Sequence, residues 1–176
     1  HPDIACSAVE GAPHAVHAAH RGLQSGGSAV SAARAMGSGS HYAEFKMVRG
    51  SYVALGIARP WHDPTGEECA PSAVALRWLS QCAGSHRRWA SATEDGWALM
   101  AWTGQCHHAG ERRPWAQGSG RGREGSTLGL RLDMRPAEGG RLSVWEDGVE
   151  LGTLCERLEG EWCWMVTLTG GAEMEV

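Results

Sequence analysis

Asparagine is absent from this chain of 176 residues, and phenylalanine and tyrosine are scarce, at one and two residues. No apolar run approaches the ~20 residues that a membrane-spanning helix needs, so no such helix and no membrane partner is expected. Positive charge is not in surplus. The formal net charge is −4 and the pI about 6.1, so the chain lacks the basic footprint that a phosphate backbone demands, and nucleic acid is not an expected partner. Six cysteines are present, but no C-x-x-C spacing occurs and the density is far below that of a small disulfide scaffold. Free thiols in a reducing compartment, intracellular and cytoplasmic, are therefore the expectation. The chain opens on His1 instead of a methionine, which reads as a processed product or an excised fragment.

What is present points to one globular β domain. The hydrophobic fraction of 42% is well above that of a disordered chain, and the length is ample for one core. Nine tryptophans serve as core filler or as anchors at a binding face. The 25 glycines suit a chain with many tight turns.

From residue 41 onward the dominant period is two. In 41–48 (HYAEFKMV), Ala43, Phe45 and Met47 share a face, and in 52–58 (YVALGIA), Val53, Leu55 and Ile57 do. With Arg49-Gly50 between them, these runs read as an antiparallel hairpin. Leu128, Leu130, Leu132 and Met134 alternate with Gly129, Arg131 and Asp133, and a strand over 141–146 follows the loop 136–140. Asp147-Gly148 is the strongest hairpin signal, because both central positions must tolerate positive φ. The last pair is 163–168 and 172–176, joined through Gly170-Gly171, with Ala172, Met174 and Val176 inward and Glu173 and Glu175 outward. A one-residue slip there would bury both glutamates, so register is strongly specified. The segment 72–82 is read as a short helix or ordered loop. The first thirty or so residues are read as two short strands, around 15–20 and 28–34, after a frayed start. Short antiparallel strands with glycine-rich turns predict a two-sheet sandwich.

Five blocks, in order, resemble the SPRY (B30.2) family. GSHYAEF at 39–45 resembles its G-x-H-Y-x-E-[FV] strand, and YVALGIARP at 52–60 resembles its V-x-x-G-[VI]-A strand. GWALMAWTGQCHHAG at 96–110 is similar to its W-x-x…G…H-[ND]-G segment. The most specific block is STLGLRLDMRPAEGGRLSVWEDGVELG at 126–152, and 163–176 resembles the family's closing hairpin. The likeness covers 14–176, with 1–13 as an N-terminal extension or linker. It implies an all-β, concanavalin A-like antiparallel sandwich that is non-catalytic, belongs to a larger multidomain chain and binds a partner peptide or protein surface through loops at one end. By that resemblance the binding face holds Arg34, Arg59, Pro60, Trp61, His62, Asp95, Trp102, Thr103 and Thr169. Trp61 and Arg59 are chemically sensible anchors. Two positions depart from the pattern: Thr169 stands where some peptide-binding members carry an aromatic, and H-[ND]-G becomes His108-Ala109-Gly110.

Sharper chemistries are weaker fits. His14, His17 and His20 would line one face of a helix but not of a strand. Cys106-His107-His108 and Cys82 with His86 could be assembled into a zinc site. A nucleophilic pair of Cys106 or Cys82 with His86 or His41 lacks any local sign of an orienting group or an oxyanion site. The run QGSGRGREG at 117–125 lacks the G-K-[ST] of a phosphate loop and reads as a connector. No cofactor, metal or catalytic residue is expected. The alternative from another class is a lectin-like carbohydrate-binding domain, since exposed tryptophan can stack on sugar rings. The absence of asparagine disfavours the legume type, which uses Asn and acidic residues to hold calcium.

Overall fold

The computed structural model describes residues 4–9, 12–20, 27–31, 35–50, 52–60, 76–78, 90–115, 122–135 and 137–176. Among the described residues fourteen strands run in chain order, the first as β1 (Ile4–Val9), β2 (Ala12–His20), β3 (Gly27–Ser31), β4 (Gly39–Arg49), β5 (Val53–Ala58), β6 (Leu76–Trp78) and β7 (Gly96–Met100). They continue as β8 (Gln105–His108), β9 (Glu111–Pro114), β10 (Thr127–Arg135), β11 (Gly139–Glu146), β12 (Val149–Leu158), β13 (Cys163–Leu168) and β14 (Glu173–Glu175). One 3-10 turn, Ala90–Ala92, precedes β7. The strands form two seven-stranded sheets, ordered β1-β2-β14-β4-β10-β11-β12 and β6-β3-β13-β5-β7-β8-β9. The expected two-sheet antiparallel sandwich is what forms. Among the described residues no helix is long and apolar enough to cross a membrane.

Side-chain parity builds the core. Leu128, Leu130 and Leu132 of β10 stand opposite Phe45, Ala43 and His41 of β4, and Leu130 and Leu132 stand opposite Val144 and Leu142 of β11. Val53, Leu55 and Ile57 of β5, Leu99 of β7, and Val166 and Leu168 of β13 close the other side. Each fully buried side chain of this size is worth roughly 1.5–3 kcal/mol. On the outer face of the first sheet, Lys46 lies 3.3 Å from Glu175 and Arg49 lies 3.9 Å from Glu173. Met174 is fully buried between those glutamates, as the alternation predicts. Asp147 and Gly148 adopt φ of 48° and 82°, the geometry of the expected two-residue turn. The Asp147 carboxylate also accepts from the Thr127 amide at 2.9 Å.

Two pairings differ from expectation. The runs 41–48 and 52–58 are not a hairpin: β4 pairs with β10 and β14 in one sheet, and β5 pairs with β13 and β7 in the other. The chain crosses between layers at Gly50, whose φ is +77°. The closing strands behave alike, with β13 in the second sheet and β14 in the first, and Gly170 and Gly171 between them at φ 59° and 75°. Alternation says which face is apolar but not which strand lies alongside, and two inward faces of a sandwich satisfy it as well as one hairpin face.

Further corrections concern the flanks. Within 72–82, Leu76–Trp78 is a strand paired with β3, not a helix; the rest of that window lies outside the described residues. Among its described residues the N-terminal region holds three strands instead of two. The additional one, β1, lies within 1–13 and pairs with β2 at the sheet edge. Finally, β5 is buried on both faces. Ala54 and Ala58 join Ala98, Met100, Cys163 and Met165 in a second cluster, against which Trp102 packs. Gly56, at the centre of β5, permits close approach of β7: a Cβ there would stand 1.9 Å from the Trp97 carbonyl oxygen.

Candidate functional site

The described residues expected at one binding face fall at two opposite ends of the second sheet. Ala58 is in register with Gly96 and with Cys163, so Arg59, Pro60 and Asp95 emerge together beside Trp162. Val53 is in register with Leu168, and Ala54 with Met100, so Trp102, Thr103 and Thr169 emerge at the other end beside Tyr52. Six strand residues separate the groups, roughly 20 Å at the usual rise. Arg34, Trp61 and His62 lie outside the described residues.

At the first end Arg59 is committed to the chain's own backbone. Its guanidinium lies 4.0 Å from the centroid of the Trp162 ring. It donates to the carbonyl of Glu159 and, at 3.3 Å, to that of Glu161. Its amide donates to the Asp95 carbonyl at 2.8 Å, and the Asp95 amide donates to Thr93 Oγ1 at 3.2 Å. Trp162 is 2% exposed, with Nε1 on the Glu159 carbonyl at 3.0 Å and its backbone bridged to Met36. Arg59 thus braces the segment leading into β13 against the end of β5. Such an arrangement stabilises the loop and leaves the guanidinium little capacity for a partner.

The second end presents aromatic surface. Tyr52 is 58% exposed, and its ring lies 5.5 Å from that of Trp102 at an angle of 57°. The Tyr52 carbonyl accepts from the Thr169 amide at 3.2 Å and from Thr169 Oγ1 at 3.3 Å. Thr103 is exposed and holds the turn by accepting the Gln105 amide on Oγ1 at 3.3 Å. Tyr52 was not foreseen as a site residue. Its proximity to Trp102 and Thr169 depends on β5 pairing with β13 and β7, partners distant in the chain.

Among the described residues the histidines and cysteines do not assemble a reactive centre. Cys106 faces the core, and burial pushes its thiol up to about 11. Cys163 is likewise pushed to about 11, and burial raises Cys155 well above its ordinary value. Protonated, buried thiols are poor nucleophiles and poor metal ligands. His107 points to the other side of β8, 5% exposed, with Nδ1 2.9 Å from Ser91 Oγ. Burial, assisted by the nearby Arg112 cation, lowers its pKa. His108 stacks on Trp97 at 3.6 Å and 4°. Its Nδ1 donates to the Gly96 carbonyl at 2.8 Å, which fixes the tautomer because a carbonyl can only accept. His41 Nε2 is bound to the Ser38 carbonyl at 2.8 Å. Among the described residues no group of three or more His, Cys, Asp or Glu side chains could hold a metal ion. Cys82 and His86 lie outside the described residues. His14, His17 and His20 lie on strand β2 and not on a helix.

No protein-family model matches the chain, and no curated protein matches it. Solved structures do. The crystal structure of a human SPRY domain superposes with a TM-score of 0.55 at 13% identity, covering 97% of this chain and 94% of that one. The crystal structure of the TRIM65 PSpry domain superposes with a TM-score of 0.50 at 18% identity, covering 92% of this chain and 67% of that one.

Proposed function

From the SPRY-type β-sandwich fold that this chain adopts, we propose that it is a non-catalytic protein-interaction module. We place its docking surface at the end formed by Tyr52, Trp102, Thr103 and Thr169. The observation that carries this reading is the Tyr52–Trp102 pair. Two aromatic rings 5.5 Å apart, one of them 58% exposed, sit on turns rigidly tied to the second sheet. Tyr and Trp supply large contact area at little entropic cost and dominate interface hot spots. Arg59 and Asp95, which the family resemblance places in the binding face, support the scaffold in this reading. The buried thiols, and imidazoles engaged in the chain's own contacts, favour binding over catalysis.

The test is capture of partners from lysate by the wild type and by Tyr52→Ala combined with Thr103→Asp. Both positions are exposed, so the fold, checked by circular dichroism, is expected to persist. Captured proteins that disappear with the double variant support the reading. Partners retained by that variant, or binding to a glycan array with no Tyr52-dependent protein partner, would refute it; the second outcome would establish the lectin-like alternative.

A further inference from the structure

At the end of the sandwich that carries Arg59, the β10–β11 turn and the segment from β12 to β13 enclose a solvent-open cavity of about 460 Å³. That volume lies in the range of small-ligand sites. Met134 and Leu158, 6% and 4% exposed, form its apolar floor.

Arg157 lines this cavity from an unusual position. Gly140 pairs with Leu158 but Arg141 pairs with Glu156, so Arg157 is the extra residue of a β-bulge. Its φ is +59°, a left-handed conformation that this kind of bulge normally gives to glycine. The facing strand accommodates it only because residue 139 is glycine: a Cβ there would stand 2.9 Å from the Arg157 Cα. Bulges re-aim side chains, and here the one re-aimed is a cation lining the cavity. Its neighbour Arg135 is held by Glu138 at 3.2 Å. The Arg157 side chain makes no hydrogen bond, ion pair or ring contact among the described residues. Backbone strain kept at an uncommitted charged residue beside a cavity is a mark of a binding group.

We propose that this cavity binds a short extended peptide segment bearing a single carboxylate, with Arg157 as its anchor. The guanidinium presents a planar fork to the carboxylate, and the Met134–Leu158 wall takes the adjacent apolar side chain. Glu138 and Glu159 on the same rim repel a polyanion, which restricts the ligand to one negative charge. The site lies at the opposite end of the second sheet from Tyr52 and Trp102, so it stands or fails independently of the docking surface proposed above.

The experiment is an amide NMR titration with two probes, Ac-Leu-Glu-NH2 and Ac-Leu-Gln-NH2, on the wild type and on Arg157→Gly. Sodium acetate forms a third arm, and thermal melting of both proteins a fourth. The glutamate probe is expected to shift the Gly139 and Gly160 amides and to bind about tenfold or more tightly than the glutamine probe. Arg157→Gly, which relieves the backbone, is expected to melt at the same temperature or higher and to lose the preference. Equal binding of the two probes, no shift at those amides, or a preference that survives in Arg157→Gly overturns the proposal. Acetate reproducing the shifts would show a simple anion site instead of a peptide site. A lower melting temperature for Arg157→Gly would show that the side chain serves the fold.

Discussion

Replacing Arg59 by alanine separates a brace from a partner anchor. The guanidinium at 4.0 Å from the Trp162 ring contributes about 0.5–2 kcal/mol, toward the upper part of that range because the ring is almost fully buried. Its bonds to the carbonyls of Glu159 and Glu161 are charge-assisted, nominally about 1.5–3 kcal/mol each. They lie where water can replace the donor, so only a fraction of that is lost. The net cost is about 2 kcal/mol, which for a chain of this length lowers the melting temperature by roughly 4–8 °C. Arg59→Lys keeps the charge but loses the planar fork and much of the stacking, and is expected to recover less than half of the loss. Thermal melts and urea titrations measure both. Partner capture by Arg59→Ala, below its own transition, is expected to equal that of the wild type. A variant that melts within about 1 °C of the wild type and yet captures nothing would refute the brace and restore Arg59 as a contact residue.

Three other perturbations follow from the same geometry. Ala109 sits at φ +51°, where a Cβ costs about 1–2 kcal/mol; Ala109→Gly is expected to raise stability by about 0.5–1 kcal/mol after the entropic penalty of glycine, read as a higher urea midpoint. Gly56→Ala would set a Cβ 1.9 Å from the Trp97 carbonyl oxygen, an atom of the neighbouring strand's backbone that cannot rotate away. The loss is expected to exceed about 3 kcal/mol, and a soluble Gly56→Ala protein with a wild-type midpoint would contradict the β5–β7 packing. Burial lowers the pKa of His107 from its ordinary 6.5, so the unfolded chain takes up the proton first. His107 therefore costs no stability above pH 6.5, and stability falls as the pH drops from there towards the folded-state pKa. His107→Gln is expected to remove that part of the slope in urea midpoints measured between about pH 7 and 5.

The inward faces were readable residue by residue. Phe45, Met47, Leu55, Ile57, Leu128, Leu130, Leu132 and Met174 are all fully buried, as their alternation requires. The Asp147-Gly148 turn was readable because only a few residue types tolerate its two positive φ values. The layer assignment was not. Gly50 and Gly170-Gly171 look like hairpin turns, yet each carries the chain from one sheet to the other. A glycine signals a reversal without saying whether the returning strand hydrogen-bonds to its predecessor or faces it across the core. The same ambiguity hid the second cluster around Ala54 and Ala98. Small residues on the supposedly outward face of β5 carry no polar signature, and none marks them as buried either.

That layer ambiguity is also why the residues expected at one binding face divide between two ends. Assigning residues to one end of a sandwich requires strand direction and partner for every strand, and a motif aligned along the chain supplies neither. Once β5 is flanked by β13 and β7, Arg59 and Trp102 must lie at opposite ends, since they follow strands that run in opposite directions. The two ends then differ in kind. At one, a charged side chain is absorbed by carbonyls at 3.3 Å and closer and by a buried indole. At the other, an exposed tyrosine is held in place through its backbone while its ring stays uncovered. A side chain already satisfied within its own chain gains little from a partner, whereas a fixed, uncovered ring forfeits little entropy on contact. By that criterion the docking surface proposed above takes Tyr52, which no motif marked, in preference to Arg59, which the resemblance did.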